Sequence, residues 1–220
     1  IGDNIMTWTI PVSSDEPCIT IVNADNGKEV SSLWKGPRIL NSLSGGSFYT
    51  YDGKTYFAPA FHNNEILEIT EDSLKLAYKW DFGKDNIDIS KYNFTLTDDN
   101  QAEEGRLMTD YLGNGTIPYL LGSQYQNSKY FYVCFSYGWF PNQTIKHLFY
   151  LKSDGKSFFF KDTQENISIR PQAFEEECIV QFASYDDLEA YKSILSPAEY
   201  QKIISRNEED NPCLIKLYFK

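Results

Sequence analysis

The sequence predicts an all-β fold, and three observations carry that expectation. Aromatic residues make up 16% of the chain, with 16 Tyr and 15 Phe, and both side chains favour the pleated, half-buried surface of a strand. Short strand-like runs follow one another with Asn-Gly, Asp-Gly or Asn-Ser between them, the punctuation of tight hairpins. These hairpins also resemble one another along the chain, so a β unit repeats.

Taken in order, a strand is expected over residues 6–10. Strands over 18–22 and 28–33 flank Asn23-Ala24-Asp25-Asn26-Gly27, where Asn-Gly supplies the positive φ of a tight turn. Strands over 47–51 and 54–59 flank Asp52-Gly53, and strands over 65–70 and 75–80 flank Glu71-Asp72-Ser73. Further on, 119–125 and 129–135 flank Gln126-Asn127-Ser128, and 147–151 and 156–160 flank Lys152-Ser153-Asp154-Gly155.

The repeat has a register. ITIVNADNGKEV from Ile19, ILEITEDSLKLA from Ile66 and LFYLKSDGKSFF from Leu148 align with Asp25, Asp72 and Asp154 superimposed. A second register pairs YDGKTYF from Tyr51 with QNSKYFY from Gln126. From Asp25 to Asp72 the step is 72 − 25 = 47 residues, the length of a propeller blade, which is roughly 40–50 residues. From Asp72 to Asp154 it is 154 − 72 = 82, which leaves an insertion of about 35 residues, assigned to the polar segment 84–115. The expectation is a repeat of β-propeller blades along the chain.

The tail departs from this pattern. Over 186–195 a helix places Leu188, Tyr191, Ile194 and Leu195 on one face. A second helix opens at Ser196-Pro197-Ala198-Glu199, with Ser196 as cap, Pro197 at the first helical position, Glu199 closing a capping box and Leu195 stapling onto Tyr200. Asn211-Pro212 stops it, and 213–219 is a last strand. Two short helices therefore precede the final strand.

Composition narrows the function classes. Hydrophobic residues at 41% and charged residues at 23% describe a globular chain. A net charge of −11 with scattered basic residues argues against nucleic acid and anionic membrane, which need clustered Lys and Arg. No apolar run of 18 residues exists to span a membrane. The chain starts at Ile1 rather than Met, which reads as a trimmed product whose upstream part carried its address. Cys18, Cys134, Cys178 and Cys213 lack any CxxC spacing, which excludes a zinc knuckle. They read as buried thiols, or as one or two disulfides in an oxidising compartment.

No motif carries chemistry. Asp81-Phe82-Gly83 matches the magnesium-binding triplet of protein kinases, yet no Gly-rich loop, β3 Lys or His-Arg-Asp loop accompanies it, Gly45-Gly46 being no phosphate loop. It reads instead as a strand end, with Gly83 turning the chain and Asp81 capping the turn. Lys84-Asp85-Asn86-Ile87-Asp88 lacks calcium-loop spacing. Glu175-Glu176-Glu177 and Glu208-Glu209-Asp210 read as solvated surface. Asn23-Ala24-Asp25-Asn26-Gly27 half matches the Asp-box turn of sialidase propellers, a structural hairpin remote from chemistry. His62 and His147 sit at strand ends and read as hydrogen-bonded structural residues. Neither a G-x-S-x-G elbow nor a particular carboxylate pair stands out. The aromatic hairpin of Tyr125, Tyr130, Phe131, Tyr132, Phe135, Tyr137, Trp139 and Phe140 reads mainly as packing, with a recognition platform as the alternative. The residues thus nominate no catalytic, ligand-binding or metal-binding side chain, and no cofactor.

Two matches point to a family. Tyr78-Lys79-Trp80-Asp81-Phe82-Gly83 and Asp210-Asn211-Pro212-Cys213-Leu214, in that order around an aromatic hairpin and two helices, resemble the six-bladed β-propeller family of Bacteroides-type bacteria. The resemblance runs from about Phe48 onward. It departs at an early Gly-Pro-Gly-Glu-like turn, for which Lys35-Gly36-Pro37-Arg38 is the nearest counterpart. Six blades need roughly 250–300 residues, and this chain supplies about three to four blades. The resemblance thus implies a single incomplete propeller domain over 1–220, the C-terminal part of a longer protein. It also implies open edge strands, expected to pair with a second copy or with the upstream part.

The resemblance implies a non-enzymatic binding or interaction scaffold of the bacterial envelope, taking a peptide, protein or glycan. It implies a periplasmic or cell-surface location, with a lipid anchor upstream. The alternatives are a glycan-active hydrolase or lyase using channel-facing carboxylates, and a purely structural partner in an envelope assembly.

Overall fold

The computed structural model describes residues 3–9, 17–33, 47–58, 64–70, 73–86, 118–138, 141–207 and 209–219. His62, Trp139, Phe140, Glu208, Glu71-Asp72, Gly45-Gly46, Lys35-Gly36-Pro37-Arg38 and residues 87–115 of the expected insertion lie outside them.

The described residues form four antiparallel sheets. The first is β1 (Asn4–Trp8), β2 (Ile19–Asn23) and β3 (Glu29–Leu33), in that order. The second is β4 (Ser47–Tyr51), β5 (Lys54–Ala58), β6 (Glu65–Ile69) and β7 (Leu74–Lys79), paired consecutively. The third is β8 (Pro118–Gln126), β9 (Tyr130–Tyr137), β10 (Thr144–Leu151) and β11 (Ser157–Phe160), again consecutive. The last holds β12 (Ala173–Phe174), β13 (Cys178–Ala183) and β14 (Cys213–Tyr218). Four consecutive meander sheets are propeller-type blades, and their number agrees with the three to four expected.

Both registers of the sequence repeat map onto blade positions. The turns around Asp25 and Asp154 join β2 to β3 and β10 to β11, and the Asp72 copy falls between β6 and β7. YDGKTYF and QNSKYFY are the turns from β4 to β5 and from β8 to β9. The β4–β5 turn needs left-handed backbone at both central residues, which Asp52 (φ 50°) and Gly53 (φ 70°) provide. In the β2–β3 turn the Asn23 Oδ1 accepts from the N–H groups of Asp25 (3.1 Å) and Asn26 (3.2 Å), an Asx turn that fixes the reversal.

The tail differs in detail from the helical expectation. Residues Tyr185–Ser193 form a 3-10 helix, which buries Leu188 and Tyr191 but leaves Ile194, just beyond its end, 40% exposed. The second segment is α1 (Pro197–Ile204), with the expected capping box: Ser196 N donates to Glu199 Oε2 at 3.0 Å and Glu199 N to Ser196 Oγ at 3.3 Å. β12 and β13 escape the sequence reading.

The chain divides into two compact units, residues 1–124 with 133–145, and residues 125–132 with 146–220. In the first unit, Ile19 and Ile21 of β2 pack on Phe57, Leu67 and Ile69 of the second sheet, with Trp8 5.1 Å from Phe57 between ring centroids. In the second, Ile167, Ala183, Leu188, Tyr191 and Ile215 form one core. A second, aromatic core joins Tyr132, Phe149, Phe174 and Phe219.

Candidate functional site

Asp81-Phe82-Gly83 is a strand-terminating turn. The chain leaves β7 through Trp80, whose Nε1 donates to Gln124 Oε1 at 2.6 Å, both side chains being buried. Gly83 adopts φ 61°. Asp81 Oδ1 accepts from Gly83 N at 2.8 Å and from Asn86 Nδ2. Those bonds favour the carboxylate and hold its pKa below the ordinary value. Asn86 Oδ1 in turn accepts from Phe82 N and from Asn64 Nδ2. The motif is a hydrogen-bonded loop, and its carboxylate is engaged in holding it.

His147 is structural as well. It is buried, its Nδ1 lies 3.0 Å from the Tyr132 hydroxyl, and its ring stacks on Tyr132 and packs on Phe160. Burial lowers its pKa, because the charged imidazolium loses solvation. The folded state therefore favours neutral His147 while the unfolded chain takes up a proton near pH 6.5. The contribution to stability is present above the unfolded value and is lost as pH falls below it. We expect the melting temperature to fall between pH 7 and pH 5, and to fall less in His147→Gln. Carboxylates with lowered pKa, such as Glu175 and Glu176, act in a more acidic window. Parallel melting curves for the two proteins across this range would rule the account out.

The aromatic hairpin is mostly packing. Tyr132 and Phe135 are buried, Tyr125 stacks on Phe174, and Phe131 lies beneath Lys152 with Nζ 4.2 Å from its ring centre. The exposed aromatics lie elsewhere, on β11, β13 and β14: Phe158, Phe159, Phe182 and Tyr218 are each at least half exposed. Glu175, Glu176 and Glu177 are exposed, as read from sequence, but they are not idle. Glu175 pairs with Lys216 at 3.0 Å, Glu177 with Lys129 at 2.9 Å, and Glu176 accepts from the N–H and hydroxyl of Ser128. Cys18 and Cys178 are buried, and the Cys178 thiol donates to Glu175 Oε2 at 3.2 Å. Among the described residues no group of three or more His, Cys, Asp or Glu is placed to hold a metal ion, and no helix is long and apolar enough to cross a membrane.

The candidate site is a groove of about 940 Å³ in the second unit. Phe158 and Phe160 of β11 border it on one side, Ile215 and Leu217 of β14 on another, and Ile167 and Ile194 lie along it. Among the described residues that line it, Glu165 is the one carboxylate.

Among the described residues one open strand edge, that of β14, borders this groove. Phe219 N donates to Glu177 O at 3.0 Å, so that opposed pair is a hydrogen-bonded one. In an antiparallel ladder such pairs alternate with non-bonded ones. From the β13–β14 register, the N–H and C=O groups of Leu214, Lys216 and Tyr218 point away from β13. Among the described residues no strand pairs with this outer edge of β14.

Comparison with known proteins gives one kind of match. The sequence profile of a family described as a 6-bladed beta-propeller matches residues 22–181. The match starts well before Phe48, taking in the β2–β3 turn and β3, and stops before the Asp210–Leu214 segment. No curated protein and no solved structure matches the chain.

Proposed function

The chain belongs to the six-bladed β-propeller family, and from that premise we propose that it is a non-catalytic binding scaffold whose groove receives an extended polypeptide as an added strand on β14. The observation that carries this reading is the coincidence of an apolar groove with a free strand edge. Backbone groups of Leu214, Lys216 and Tyr218 offer the ladder, and Phe158, Phe160 and Leu217 offer apolar contact for alternate side chains. Glycoside hydrolysis calls for two carboxylates flanking one bond, whereas among the described residues of the groove lining Glu165 is the one carboxylate. In the wider reading the scaffold works in the bacterial envelope, at the periplasmic or outer surface, which the family resemblance supports.

The test is fluorescence titration with a labelled hexapeptide of alternating valine and threonine, beside the same peptide N-methylated at alternate residues. N-methylation blocks the ladder and is expected to weaken binding at least about tenfold, or 1.4 kcal/mol. Lys216→Pro removes an outward N–H without breaking a β13–β14 bond, and is expected to weaken binding as much while leaving the melting curve near that of the parent. Equal affinity for both peptides, or for both proteins, would sink the proposal. Light scattering over the same concentrations shows whether a second copy takes this edge instead.

A further inference from the structure

A smaller cavity of about 140 Å³ lies elsewhere in the second unit, among residues 166–170, β13 and the 3-10 helix. Its chemistry is unlike that of the groove. Gln181, 1% exposed, donates from Nε2 to Ser168 O at 2.9 Å and to the Tyr191 hydroxyl at 2.7 Å, and its Oε1 accepts from Arg170 N at 3.0 Å. The amide is thereby fixed. The buried Tyr191 hydroxyl accepts from it and retains its own proton, for which no acceptor occurs among the described residues. Arg170 and Asp186 both line the cavity, and neither side chain makes an ion pair or hydrogen bond among the described residues. Asp187 also lines it; its Oδ2 is taken by Ser184, which leaves Oδ1. One small concave site thus carries an unpaired guanidinium, a buried hydroxyl proton and unpaired carboxylate oxygen.

We propose that this cavity binds a small zwitterion of the α-amino-acid class, its carboxylate on Arg170 and the Tyr191 proton and its ammonium on Asp186 and Asp187. Charges of opposite sign that do not pair with each other are complementary to a ligand carrying both. Arg170 and Asp187 act on the Tyr191 hydroxyl in opposite senses, the first favouring the phenolate and the second opposing it, so both charges reach the same spot. A site of this volume holds a small amino acid and excludes a disaccharide or an extended peptide. Among the described residues it shares only Ile167 with the lining of the groove, and it does not depend on the reading given to the groove.

Thermal melting with L-alanine, sodium acetate and methylammonium chloride, each to about 50 mM at constant ionic strength, reads the proposal directly. L-Alanine is expected to raise the melting temperature in a concentration-dependent way, and the two half-ligands to raise it much less. Arg170→Gln, Asp186→Asn and Tyr191→Phe are each expected to weaken the L-alanine response about tenfold or more. Arg170 and Asp186 are exposed, so those two variants should melt near the parent without ligand. No rise with L-alanine, an equal rise with acetate alone, or a rise unchanged in Arg170→Gln overturns the assignment.

Discussion

Tyr132→Ala is expected to cost about 3–5 kcal/mol of folding free energy, the largest loss among single substitutions in the aromatic core. Tyr132 is wholly buried, 4.8 Å from Phe149 and 5.7 Å from Phe174 between ring centroids, and its hydroxyl contacts His147. Truncation removes a ring from a packed cluster and also strands the imidazole Nδ1. Tyr132→Phe separates these effects: the ring stays, the hydrogen bond goes, and the expected loss is about 1–2 kcal/mol. Phe131, one residue away, points to the other face and is only half buried beneath Lys152. Phe131→Ala should therefore cost clearly less than Tyr132→Ala. Urea titration at constant m-value reads all three. Equal losses at 131 and 132 would mean that strand alternation does not set which aromatic holds the core.

That alternation was legible in the sequence, and so was most of the fold. Asp52-Gly53 and Asn23 fix their turns through backbone angle and side-chain hydrogen bonds, both local effects, and the strands beside them fall where expected. The Ser196–Glu199 box is local in the same sense. β13 was not legible, because Cys178, Ile179, Val180 and Gln181 are all buried. A strand covered on both faces shows no alternation, and the three glutamates before it mimic a loop.

The groove was hidden for a different reason. Its walls come from β11, residues 163–169, β13, residues 193–195 and β14, which only the folded chain brings together. One signal was nonetheless present. Phe158-Phe159-Phe160 cannot all face inward on a strand of period two, so at least one ring had to be presented outside. The small cavity gave no such sign, since Arg170, Gln181 and Tyr191 are individually unremarkable residues whose meaning lies in what they leave unpaired.

Asn127→Ala is expected to cost about 2–4 kcal/mol, through buried polar groups left without partners. Asn127 is 2% exposed. Its Oδ1 accepts from Lys129 N at 2.9 Å and Tyr130 N at 2.7 Å, closing the β8–β9 turn, and its Nδ2 donates to Glu175 O at 2.9 Å, tying that turn to the β12–β13 turn. Alanine removes these bonds, and a longer one from Nδ2 to Glu176 O, at once from a site that water reaches poorly. The neighbouring Ser128–Glu176 contact spans the same two turns but lies in solvent. Glu176→Gln keeps an acceptor there and is expected to cost under about 1 kcal/mol. The contrast between the two variants is the useful result, because both sit on one latch and differ in burial. If Asn127→Ala costs no more than Glu176→Gln, the turns are held by the aromatic packing beneath them. The asparagine would then be a consequence of the turn and not its cause.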